Sequence, residues 1–478
     1  MSHRIRLGLW GVAAALAVAS LPVVGAEPDR RLPDAARKQD RAAIRALIKE
    51  GVDVNGRQPD GATALHWATH WADLETVTVL LAAGADANAA NDFGVTPLSM
   101  ACEAANVAIV DALLGAGAQP TAALPAQEPP LLTASRTSSA AIVSALLARG
   151  ADVQAAESTR GQTALMWAAS EGHVDVMRVL LSANANVSAK SKAGFTPLMF
   201  AARGSNLDAV ATLVKAGASL NDIATDGTTA LIVATVRGQV DVAKLLLDQG
   251  ADPNAGQAGY TALHWAAGSW ETELTGPRGI LTDRDEEWIA LRGLGSRKLE
   301  LVTALLAKGA NPDVRVTKSP PKVGFTVGRV PNGATPFFLA AMAGDAAVMR
   351  ALAKAGADTK AAANDKTTPM MIAAGVQRVL AESIVPERST VEAVKAAWEL
   401  GGDVNAVNAA GDTALHGAAH IRSDGLVHFL AEKGAELSVK NSKGETPLMV
   451  CERTIAAGSA PVYGRSSTGD LLRSLGAR

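Results

Sequence analysis

Residues 161–190, GQTALMWAASEGHVDVMRVLLSANANVSAK, hold two short helices and the signals that bound them. Thr163 is a helix N-cap residue, and Ala164 follows at the first helical position, where a missing amide bond costs nothing. Leu165 and the pair Ala168, Ala169 recur at helical spacing, which leaves a narrow face of small side chains against which a neighbour can pack closely. The segment VDVMRVLL then carries a wider aliphatic face before an Asn-rich turn. One such pair cannot bury both faces alone, so it must stack on further copies.

Those copies are present along most of the chain. Threonines equivalent to Thr163 stand at Thr63, Thr96, Thr196, Thr229, Thr261, Thr335, Thr368, Thr413 and Thr446, 32 or 33 residues apart wherever no insertion intervenes, and Pro129 fills the register left open after Thr96. Two of the clearest units are GFTPLMFAARGSNLDAVATLVKAGASLN (194–221) and GTTALIVATVRGQVDVAKLLLDQGADPN (227–254). A glycine closes the second helix in most units, and Gly84, Gly217 and Gly250 are expected in the left-handed conformation.

The Thr-Pro-Leu-His start, the alanine pair, the Leu-Leu stretch and the closing Gly-Ala-Asp-x-Asn resemble ankyrin repeats over nearly all of residues 32–478. The resemblance implies an all-α fold, an ankyrin-repeat solenoid of about twelve helix-turn-helix units joined by β-hairpin turns. A degenerate first unit without the threonine (32–57) serves as N-terminal cap, regular units fill 58–257, and one unit with two insertions occupies 258–334. Further units run over 335–441 with an insertion near 375–388, and a divergent unit at 442–478 caps the other end.

Residues 1–26 read as a secretory signal: His3, Arg4 and Arg6, an apolar run over 7–24, and a small-residue cleavage site ending at Ala26. The expectation is an exported chain, periplasmic or secreted, with 27–478 as a single solenoid and no membrane insertion after cleavage. Removal of that segment takes two arginines and no acid, which moves the net charge from −2 to −4. Nothing in that balance attracts nucleic acid or an anionic membrane. Cys102 and Cys451, the two cysteines, replace members of the small-residue pair and are expected as buried free thiols.

Insertions are tolerated only where they project from a stack. In the eighth unit Thr261 and Gly309 are 48 residues apart, against 21 for Thr229 and Gly250, and the extra chain carries Trp270 and Trp288. The turn after Gly309 is also lengthened and carries Lys318, Lys322 and Arg329, with a Val/Phe/Thr alternation over 323–327 that suggests a short hairpin. These tryptophans and cations are candidate partner contacts.

Counting from threonine as zero, His66, His264 and His416 hold position +3. The resemblance implies that these imidazoles bond near the threonine and tie adjacent turns together, while Trp67 at +4 packs between helices. Positions +7 and +8 vary from unit to unit, and the resemblance places them on the concave groove. They supply the candidates His70, Trp71, Glu103, Arg136, Glu171, Arg203, Arg237, Met342 and His420, and the turns add Phe93, Arg160, Lys192, Phe195 and Tyr260. His66/His70 and His416/His420 share the i, i+4 spacing of a metal pair, but neither has an intervening glutamate or an evident third ligand, so no metal is assigned.

No phosphate loop, nucleophile elbow or paired-cysteine motif is present. The expected function is a non-catalytic, monomeric interaction scaffold without cofactor, which binds a protein partner through the groove and the eighth-unit insertions. The alternative is an enzyme or small-ligand protein with a pocket under residues 269–299.

Overall fold

The computed structural model describes residues 29–121, 128–268, 294–318, 330–378, 385–456 and 467–478. Among these residues lie twenty-four α-helices in twelve successive pairs, and no extended strand. The signal segment, Trp270, Trp288, Lys322, Arg329 and the hairpin expected over 323–327 fall outside the described residues.

Contacts divide the chain into two compact bodies, residues 1–97 and 98–478. In the first, Arg31–Arg37 pairs with Arg41–Glu50, and Ala64–His70 pairs with Leu74–Ala82; the two first helices pack side by side. Leu32, Ile44, Leu65, Val77 and Leu80 form its core. In the second body the first helices from Pro130–Ser135 onward lie in one layer and the second helices in another, successive helices of a layer touching. Paired alanines such as Ala168–Ala169, Ala201–Ala202 and Ala340–Ala341 are buried at the first-helix contacts, and Val176, Met177 and Leu180 show the aliphatic filling between layers. Each fully buried Leu or Val contributes about 1.5–3 kcal/mol.

Local chemistry sets the helix ends. The hydroxyls of Thr196, Thr229 and Thr335 accept from the amides of Met199, Ile232 and Phe338 at 3.4, 3.3 and 3.2 Å. Gly84, Gly217 and Gly250 take φ of +89°, +91° and +97°, as the sequence requires. In the quoted unit Asn184 does the same work at φ +64°, which asparagine tolerates better than other side chains.

The expected β-hairpin turns register only as single bridges, Arg57 with Thr63 and Ala156 with Thr163. The physical reason is length: one bond across five residues closes each turn, as Ser191 N to Phe195 O at 3.0 Å, and leaves no room for a ladder, while the turn backbone also bonds sideways. The amide four residues before a threonine donates to the carbonyl three residues before the previous one. This links Lys192 to Arg160 (2.8 Å), Thr225 to Ala193 (3.1 Å), Asn364 to Asn332 (3.0 Å), Ala409 to Asp365 (2.8 Å) and Ser442 to Ala410 (2.8 Å) in the second body, and Asp92 to Asp60 (2.9 Å) in the first. A second row of bonds uses turn amides: Asn254 Nδ2 donates to Gly309 O at 2.9 Å while its Oδ1 accepts from Asn311 N at 2.8 Å, and Asn405 bridges Gly434 and Glu436 in the same way.

Departures from the regular unit have local explanations. The tenth unit directs part of its extra chain into a second helix of 13 residues, Glu387–Glu399, where most units have 9. At the C-terminal end, helix Thr468–Ser474 is anchored by Ser467 and Thr468, whose hydroxyls donate to Asp424 at 2.7 and 2.5 Å, and by the buried Leu472. Cys102 and Cys451 are buried and free; burial pushes the Cys102 thiol up to about 12 and raises that of Cys451.

Candidate functional site

The histidines at +3 form the best-defined polar geometry in the protein. The Thr63 amide donates to His66 Nδ1 at 3.2 Å, the Thr63 hydroxyl lies 2.9 Å from the same nitrogen, and Nε2 meets Val95 O at 3.0 Å. His264 repeats this with Thr261 (3.0 and 3.1 Å) and Val314 O (3.0 Å), and His416 with Thr413 (3.1 and 3.0 Å) and Glu445 O (3.1 Å). A backbone N–H can only donate, so Nδ1 must accept and the proton sits on Nε2, which donates to the carbonyl. Both ring nitrogens of His66 and His416 are therefore occupied and have no lone pair to offer a metal ion. Burial lowers the pKa of His66 and pushes that of His264 down to about 4, against the opposing pull of the carbonyl bond. In two units methionine at +3 takes part of this role: the sulfur accepts from the threonine amide at 3.4 Å for Met166 and 3.5 Å for Met371, but it has no proton to send onward.

In the first body, the residues after this histidine build an aromatic group. Trp67 is half-buried, and its Nε1 donates to Gln58 Oε1 at 2.7 Å; Gln58 Nε2 in turn donates to Asp34 Oδ1 at 2.6 Å. The His70 ring stands edge-on to Trp67 and Trp71, with centroids 5.8 and 4.8 Å apart. His70 is exposed, Trp71 is 42% exposed and Phe93 on the turn 72% exposed.

In the second body the candidates fall into three groups. Glu103, Arg136, Arg160, Glu171, Lys192 and Lys318 are exposed, and Arg203, Arg237 and Met342 are half-buried with accessible surface. Arg136 lies 4.9 Å over the Trp167 ring and bonds Glu128 at 2.8 Å, and Arg203 lies 5.7 Å over Phe200.

Phe195 and Tyr260 correct the sequence reading, because they are 5% and 4% exposed rather than displayed on the turns. The residue immediately before the threonine turns inwards, as the buried Gln162, Thr228 and Thr367 also do, and the two rings pack edge-on to Phe200 and Trp265. His420 is likewise a tie: Nε2 donates to Arg378 O at 2.9 Å, and burial lowers its pKa.

Sequence reasoning missed the residue at +10, which crosses to the preceding unit. His173 donates to Arg136 O (2.9 Å), Asn206 to Gly172 O (3.0 Å) and Gln239 to Arg203 O (3.2 Å). A signal existed, since Asn, Gln and His alternate there with the usual N-cap acids and serines. The group formed by Trp398, Phe429 and Lys433, with Lys433 Nζ 4.3 Å from the Trp398 ring centre, had no such signal.

Among the described residues no three His, Cys, Asp or Glu side chains are grouped to hold a metal ion, and no helix is long and apolar enough to cross a membrane. A family profile described as ankyrin repeats (3 copies) matches residues 32–123, 131–224, 185–257 and 219–274. The crystal structure of the human ASB11 ankyrin repeat domain is similar at 29% identity over 46% of this chain and 98% of that one, with a TM-score of 0.43. No curated protein matches the chain.

Proposed function

The chain is an ankyrin-repeat protein, and from that premise we propose that it is a non-catalytic scaffold, exported to the periplasm by its first 26 residues, that holds a protein partner along its first-helix ends and turns. Ankyrin repeats are generally protein–protein interaction modules. The observation that carries the proposal is the exposed His70 and Trp71 pair at a first-helix end on a hydrogen-bonded frame, with Phe93 exposed on the next turn. Aromatic side chains dominate interface energies, and a frame fixed beforehand loses little entropy on binding. A standard interface of about 800 Å² per partner covers only a few units, so neighbouring segments of face can serve different contacts.

Affinity capture from a periplasmic extract tests the proposal, with the mature chain compared with a His70→Ala/Trp71→Ala variant. A stoichiometric protein retained by the first and weakened in the second is the expected result. Equal retention by both defeats the assignment of this face.

A further inference from the structure

Charge is distributed unevenly along the second body. The whole chain carries −2, yet Arg136, Arg203 and Arg237 stand at the first-helix ends of units 4, 6 and 7, and Arg160 and Lys192 on turn tips between them. Exposed acids on the same strip are Glu171 and Asp226. Two further acids are part-buried and already engaged: Glu128 pairs with Arg136, and the Glu157 carboxylate accepts the amides of Thr159, Arg160 and Gln162 at 2.6 to 3.0 Å.

These positions are fixed relative to one another. The bonds from His173, Asn206 and Gln239 onto Arg136 O, Gly172 O and Arg203 O join successive helix ends, and Lys192 N bonds Arg160 O across the turn tips. Two guanidinium groups rest on rings, Arg136 on Trp167 and Arg203 on Phe200, which orients a planar cation and reduces the rotamer freedom it loses on meeting an anion. The bond from Arg136 to Glu128 shows that a carboxylate fits a guanidinium held this way. Adjacent helices lie about 10 Å apart, and an extended chain in the polyproline II form advances about 3.1 Å per residue with every third side chain on one side, so roughly three residues of such a chain span one unit.

We propose that an extended acidic segment of the partner polypeptide runs across the first-helix ends of units 4 to 7, its carboxylates paired with Arg136, Arg203 and Arg237. The proposal rests on the partner-binding function above and names the chemistry of that partner.

Fluorescence anisotropy tests it with a labelled dodecapeptide repeating Glu-Ala-Ala, a Gln-Ala-Ala counterpart, and the mature full chain. The Glu peptide binds and the Gln peptide does not; affinity drops when salt is raised from about 50 mM to about 0.3 M, and falls by at least about tenfold in Arg136→Gln/Arg203→Gln/Arg237→Gln. Arg178→Gln, on an exposed second-helix site, leaves binding unchanged. Circular dichroism melts establish that the variants fold, and should the triple variant not fold, Arg237→Gln alone carries the test with a smaller loss. Absence of binding to the Glu peptide, equal binding of the Gln peptide, or affinity indifferent to the arginines overturns the proposal. A captured partner that needs His70 and Trp71 but not the three arginines would overturn the acidic segment while leaving the scaffold function standing; a partner indifferent to both sets of residues defeats the two together.

Discussion

Acid should loosen the protein through its neutral histidines, and His264 sets the size of the effect. It has no exposed surface, it accepts at Nδ1 from the Thr261 amide, and it donates from Nε2 to Val314 O. Protonation at Nδ1 would set two donors against each other, and burial pushes the pKa down to about 4. An imidazole in the unfolded chain titrates near 6.5. The folded value lies below the unfolded one, so the unfolded state takes the proton first: the contribution is whole above about pH 6.5 and is lost as pH falls towards 4. At about 1.4 kcal/mol per pH unit the complete loss is about 3 kcal/mol, of which about 2 kcal/mol is gone by about pH 5. Urea unfolding at about pH 7.5 and pH 5 should show this loss in the natural chain and a loss smaller by about 2 kcal/mol in His264→Gln, which lacks the titrating group. NMR of labelled histidine should show the Nε2–H tautomer and no inflection for His264 above about pH 5. Titration of His264 near 6.5, or an acid response unchanged in the variant, would refute the reasoning.

Three further outcomes follow from single contacts. Gly250→Ala places a Cβ in open space but at φ +97°, so calorimetry should show a cost of about 1–2 kcal/mol from backbone strain alone, whereas Asn184→Gly should be close to neutral. Leu180→Ala removes a fully buried side chain and should destabilise by about 3–5 kcal/mol in chemical denaturation; a loss under about 1 kcal/mol would mean the helix layers are not packed as described. Gln58→Ala leaves Trp67 Nε1 without its acceptor and should cost about 1–2 kcal/mol, with a shift in tryptophan emission that Gln58→Glu, which keeps an acceptor, restores in part.

Much of the fold is written in residues whose backbone demands are narrow. Threonine caps, the glycines at positive φ and the alanine pairs each admit few substitutes, so their spacing survives in the chain and marks out the same twelve units that the paired helices form. The +3 histidines were legible for the same reason, since one imidazole must satisfy a threonine and a carbonyl together. Side-chain direction within the turns was not legible. Phe93 stands three residues before its threonine and points out, while Phe195 stands one before and points in, a difference set by the turn's dihedrals and invisible to composition. Nor could spacing reveal that His420 spends its proton on Arg378 O, because the acceptor lies 42 residues away, across an insertion.

The sideways bonds between turns have a consequence for how such a chain can change length. Donor and acceptor occupy the same two places before most threonines, as with Lys192 on Arg160 and Thr225 on Ala193, while Gln257 bonds Gly227 O one place further on, so most turns offer their successors the socket their predecessors offered them. Excision of residues 163–195, one whole period, brings Thr225 N to the place of Arg160 O, which already serves as such an acceptor for Lys192. Loss or duplication in multiples of that period is conservative in a way that deletion of a few residues never is, and gene rearrangement can lengthen or shorten the reading frame of contacts without redesigning a single joint.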